Sequence, residues 1–138
     1  MALLMNSCSW LTYLGIRNDS SESINIKYTL NDDIKGIFRP KIVNNSDIYK
    51  IHKIINSIPF ADYNMNDDNM EITAILNPQQ TLIIENELNF HGYYQNMQWF
   101  PIKTITITTS KGNITYSGNE VINAFKEIKR TIWVIQYQ

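Results

Sequence analysis

The stretch Ile102–Tyr137 limits what this chain can fold into more than any other. It reads IKTITITT, SKGN, ITYSG, NEVINAFKEIK and RTIWVIQY in succession. Ile105 and Ile107 alternate with Thr104, Thr106 and Thr108, the period of two that a strand with one buried face requires. Ser110-Lys111-Gly112-Asn113 supplies a reversal, because Gly and Asn accept the positive φ of a tight turn. Ile114 and Tyr116 then resume the alternation, and the whole predicts a β-hairpin. Asn119 is placed to cap a helix, with Glu120 in its first turn and Lys126, Lys129 and Arg130 in its last. Val121, Ile122, Phe125 and Ile128 form the apolar stripe of that helix. Thr131–Tyr137 is apolar on both sides, which predicts a central strand with the helix over one face.

Upstream the same alternation recurs. Ile24, Ile26, Tyr28 and Leu30 predict a strand over Ser23–Leu30 that Asn31-Asp32-Asp33 ends. Pro40 restricts any strand in 34–43 to an edge or a bulge. Ser46 and the spacing of Ile48, Ile51 and Ile55 predict a short helix that ends before Pro59. Glu71–Leu76 and Thr81–Asn86 read as two strands joined at Asn77-Pro78-Gln79-Gln80, a second hairpin signal. Together these predict a mainly β fold: a small sandwich of six to seven short strands with one or two short helices. The alternative is an α+β arrangement, an antiparallel sheet with the C-terminal helix packed on it.

With 138 residues, 43% of them hydrophobic, the chain has enough apolar surface for one core. Lys plus Arg number 12 against 13 for Asp plus Glu, so there is no basic excess to track a phosphate backbone, and nucleic-acid binding is not expected. One cysteine precludes an internal disulfide.

That cysteine carries the clearest clue to location. The chain begins MALLMNSCSWLTYLG, a short apolar run leading to Cys8. Met5-Asn6-Ser7-Cys8 resembles the lipobox that ends a bacterial lipoprotein signal peptide. Ser7 stands as the small residue before cleavage, and Cys8 as the lipid acceptor. The resemblance covers about eight residues and implies an anchor within residues 1–22, continued by a polar spacer from Arg17 to Ser23, then a single β-rich domain over 23–138. It implies a protein lipid-anchored to the outer membrane of a Gram-negative envelope. The first positive charge is Arg17 and the apolar run is short. Either the true start lies upstream, or this is an ordinary cytoplasmic N-terminus with a buried thiol. No stretch reaches the length of a spanning helix.

Candidate chemistry is sparse. His52 and His91 have no ligand or base partner at useful spacing. Asn64, Asn66 and Asp68 alternate as calcium ligands would, yet Asn69 and Ile75 stand where the loop needs Gly and an acid, so no metal is expected. Asp32/Asp33 and Asp67/Asp68 are adjacent pairs whose side chains diverge, and no CxxC, HExxH or GxSxG occurs. No catalytic activity, cofactor or small-molecule substrate is therefore expected. In 91–100, Trp99 and Phe100 suit a core plug. Tyr93, Tyr94 and Met97 are residue types that concentrate binding energy at interfaces. The expectation is a protein-binding or assembly module of the envelope, with an immunity or inhibitor protein as the alternative. An enzyme or carrier with a pocket inside the sandwich is a third, weaker reading.

Overall fold

The computed structural model describes residues 11–31, 38–88 and 100–138. In chain order the strands are β1 (Leu11–Asn18), β2 (Ile24–Leu30), β3 (Lys41–Asn44), β4 (Asn64–Asn66), β5 (Glu71–Leu76), β6 (Gln80–Leu88), β7 (Ile102–Thr109), β8 (Gly112–Ser117), β9 (Lys126–Lys129) and β10 (Ile132–Tyr137). A 3-10 turn (Asn45–Lys50), α1 (Ile51–Ile54) and a second 3-10 turn (Ile55–Ser57) form a helical ribbon after β3, and α2 (Asn119–Ala124) follows β8. The strands build two five-stranded sheets: sheet A in the order β3-β6-β1-β10-β9, and sheet B in the order β4-β5-β2-β7-β8. All neighbours are antiparallel except β1 and β10, which run parallel. The expected β-sandwich is thus the fold, with ten strands among the described residues.

The main core lies between the sheets. Ile24, Ile26, Tyr28 and Leu30 of β2 are buried in alternation with exposed Asn25 and Lys27. Ile72, Ala74 and Leu76, with Ile105 and Ile107, extend the same layer, and Leu14, Ile16, Leu82, Ile84 and Ile135 meet it from sheet A. Val121 and Phe125 close one end, the Phe125 ring edge meeting fully buried Phe100 at 6.2 Å between centroids.

Sheet A is buried a second time on its outer face. Tyr13, Ile83, Ile132 and Val134 point away from sheet B and pack with Val43, Ile48, Ile51 and Ile55. The isoleucine spacing in 45–57 serves this contact, and the molecule is three layers deep there. Asn44 occupies the N-cap position without a side-chain bond, so Ser46 does not cap the ribbon. Gly15 sits at the register shift where β1 pairs with β6: a Cβ would lie 2.9 Å from Thr81 Cγ2 and 3.1 Å from the Leu82 carbonyl oxygen.

Four further expectations change. Leu11–Asn18 is no part of an anchor-and-spacer segment over 1–22; it is the middle strand of sheet A, apolar on both faces because both are covered. Arg17 and Asn18 finish that strand, and the turn after them is bonded: the Asn18 amide donates to the carbonyls of Glu22 (2.9 Å) and Leu76 (3.2 Å), and its oxygen accepts from Ser20 N–H (3.0 Å). Asn77-Pro78-Gln79-Gln80 does not close a hairpin. It carries the chain from β5 in sheet B to β6 in sheet A, with Gln79 at φ 62 held by its N–H to the Asn18 carbonyl and its carbonyl to the Asn45 N–H, both 2.9 Å.

The last helix stops at Ala124. Phe125 is already extended at φ −77, ψ 133, and Lys126–Lys129 pairs with β10. Phe125 enters the main core while Ile128 packs on the outer cluster, so the two do not share a stripe. Strand pairing outweighs the helical spacing here. The cap is Gly118 at φ 61, not Asn119, and Glu120 Oε1 accepts from the Ser117 N–H at 3.2 Å.

Candidate docking surface

Cys8, Tyr93, Tyr94 and Met97, together with His91 and Trp99, lie outside the described residues. The functional geometry open to description therefore comes from other parts of the chain. Three places hold polar chemistry: the ribbon–sheet boundary at His52, the interior at Tyr28, and the rim where the two sheets part.

His52 is a structural residue. Its Nε2 shares a 2.7 Å hydrogen bond with Thr131 Oγ1, beside the Arg130 carbonyl. Its ring meets Tyr13 edge-on at 5.0 Å and 69°. Desolvation, and secondarily the Lys129 charge, hold its pKa below the ordinary 6.5. The imidazole is neutral and tied between the ribbon and sheet A, with the Thr131 hydroxyl beside it.

Tyr28 is wholly buried and its hydroxyl meets no hydrogen-bond partner among the described residues. Burial first, then the Glu85 and Tyr63 charges, push its pKa far up, so it stays protonated. Glu85 reaches the same interior, with Oε1 accepting from Asn86 N–H at 3.1 Å. Asp67 and Asp68 sit exposed on the turn between β4 and β5, and no group of three His, Cys, Asp or Glu able to hold a metal occurs among the described residues.

A groove of about 700 Å³ runs along the rim where β3 and β6 of sheet A face β4 and β5 of sheet B. Asn64, Asn77, Gln80, Thr73 and Asp62 line it. Its amides and one carboxylate can orient a polar guest.

Beside that rim is a shallower depression of about 290 Å³ with a different lining: Tyr13, Phe38, Arg39, Lys41, Ile55 and Phe60 among others. Phe60 is 48% exposed. The Arg39 guanidinium carbon lies 3.8 Å from its ring centroid and Lys41 Nζ 5.0 Å, a double cation–π stack. Local bonds fix the arrangement. Lys41 and Phe60 form an isolated antiparallel bridge, Ala61 N–H donates to the Pro40 carbonyl at 2.9 Å, Lys41 Nζ donates to the Ile55 carbonyl at 2.7 Å, and Arg39 Nε donates to Tyr63 Oη at 3.3 Å.

The bridge also gives Phe60 a purely structural use, since it shields the outer edge of β3. Shielding needs only the backbone, however, and leaves half the ring in water. Covering that half of a ring of roughly 200 Å² would contribute about 2 kcal/mol to an association.

Nothing in the sequence singled Phe60 out. It stands alone between Pro59 and Ala61, and its cations come from 19 to 21 positions earlier in the chain. Comparison of the chain with protein-family models, with curated proteins and with solved structures gave no match.

Proposed function

We propose that this chain is a non-catalytic protein-binding module of the cell envelope, tethered through a lipid on Cys8, and that it docks its partner on the Phe60–Arg39–Lys41 patch. The observation that carries the binding role is the half-exposed Phe60 ring under two cations in a pre-bonded depression. Aromatic and Arg side chains are the groups that dominate interface energetics, and holding them in place before contact lowers the entropy cost of docking. The patch fits a segment that offers an apolar side chain to the ring and a carboxylate to Arg39 or Lys41.

The tether rests on the lipobox-like Met5-Asn6-Ser7-Cys8. With β1 starting at Leu11, only Ser9 and Trp10 separate a lipidated Cys8 from the first strand. The domain would then stand directly against the bilayer.

Affinity capture from envelope fractions tests both parts. The full chain should retain a partner that Phe60→Ala and Arg39→Glu each lose at unchanged circular dichroism; identical capture by all three proteins rejects the patch. Cys8→Ser should move the protein from the membrane to the soluble fraction, and continued membrane association of that variant rejects the tether. Capture of a toxin or a soluble enzyme in place of envelope proteins would mark the same face as inhibitory.

A further inference from the structure

The four outer edges of the two sheets are treated very differently. β9 reads Lys126-Glu127-Ile128-Lys129, three charges in four residues, and its register against β10 shifts. β4 is three residues long, and β3 is bridged by Phe60 and preceded by Pro40. These are the devices by which edge strands avoid pairing with other chains. β8 has none of them. Gly112–Ser117 runs six residues in unbroken register with β7, carries no charge and no proline, and is exposed along its length except at Tyr116. No other strand pairs with its outer side among the described residues.

The edge is also held ready. Glu22 accepts from the Ser110 N–H (3.1 Å) and hydroxyl (2.6 Å), which pins the hairpin tip to the turn between β1 and β2. Ser110-Lys111 is a two-residue turn between paired Thr109 and Gly112, so Gly112, Ile114 and Tyr116 turn their backbone groups toward β7. Asn113, Thr115 and Ser117 turn theirs outward. The Ser117 N–H obeys this alternation: it finds the Glu120 carboxylate and not β7.

We infer that two copies of this chain join through β8, antiparallel about a two-fold axis at Thr115, to make one continuous ten-stranded sheet. The strand's own pattern selects this occupant. A two-fold perpendicular to the sheet keeps inner faces together, so Ile114 meets Tyr116 of the second copy twice, and Thr115 meets its own equivalent. Asn113 then meets Ser117. Apolar thus faces apolar on the core side, polar faces polar outside, and no like charges oppose. Ile114, 40% exposed in the single copy, is covered by the partner's tyrosine ring. Thr115 to Thr115 and Asn113 to Ser117 supply four backbone hydrogen bonds without disturbing Glu120. The dimer depends neither on the Phe60 patch nor on Cys8.

Charge reversal at the axis tests it. By sedimentation velocity the full chain should be dimeric at high concentration, and hydrogen exchange at Asn113 and Thr115 should slow as concentration rises. Thr115→Lys and Thr115→Glu should each be monomeric, because each places two like charges face to face, and an equimolar mixture of the two should re-form a dimer. That recovery shows both variants folded. A chain monomeric at every concentration overturns the inference, as does a dimer that either substitution leaves intact or a mixture that stays monomeric.

Discussion

Sheet A is buried on both faces, by sheet B within and the helical ribbon without, whereas sheet B is buried on one face only. The strands record the difference. β2 alternates buried and exposed residues almost without exception, while β1 is buried over five consecutive positions from Thr12 to Ile16. A one-sided strand can shed its outward side chains into water, so Thr, Lys and Asn fill them. A two-sided strand cannot, and its polar groups survive only where they are bonded. Thr81 is such a group: its hydroxyl donates to Asn45 Oδ1 at 2.7 Å.

The sharpest way to break this comparison is to remove apolar volume from the outer faces. Ile51→Ala empties a fully buried position between ribbon and sheet A and should cost about 3 kcal/mol by urea denaturation. Thr108→Ala, on the bare face of sheet B, should cost about 0.5 kcal/mol or less. Comparable losses would mean that the ribbon adds nothing to sheet A.

A smaller effect is expected where the ribbon is fastened. Asn45 Nδ2 donates to the Asn18 carbonyl and to Asp19 Oδ1, both at 3.0 Å. Asn45→Ala leaves the buried Thr81 hydroxyl without its acceptor and should cost about 2 kcal/mol, measured the same way. Asp19 would keep Arg17 Nε at 3.0 Å, so the turn after β1 should persist. Protection from hydrogen exchange should fall in the ribbon and stay unchanged in β2 and β7.

The smallest effect is in pH. His52 is held below the ordinary 6.5, so the unfolded chain takes up its proton first as pH falls. Its contribution is complete above that value and is lost between 6.5 and the lower pKa of the folded state. His52→Gln should remove the pH slope across that window and, above it, lower stability by the lost ring contact with Tyr13. A slope that survives the substitution would assign it to another group.

Sheet B was legible because its outer face is wet. Ile24 to Leu30, Ile72 to Leu76 and Ile105 to Ile107 each announce a strand by alternation, and the turn at Ser110-Lys111 announces the hairpin. Sheet A was legible only in part. LTYLGI has no period, so the run beside Cys8 reads as the tail of an anchor, and Phe125 and Ile128 fall at helical spacing although they serve opposite faces. The cluster of Phe60, Arg39 and Lys41 left no trace in the sequence, since Arg39 and Phe60 meet only when the ribbon between them folds back. The expected binding residues Tyr93, Tyr94 and Met97 lie outside the described residues.

What the sequence determined by itself is the mainly β character, the one-sided strands of sheet B and the turn at Ser110-Lys111, because side-chain period and turn residues act over a few positions. Which strands share a sheet, which edge is left bare, and which aromatic ends up beneath two cations were decided by tertiary structure. Those depend on pairings between residues far apart in the chain, such as β1 with β10, whose backbone hydrogen bonds any sequence can make. Only the competition among whole packings selects between them.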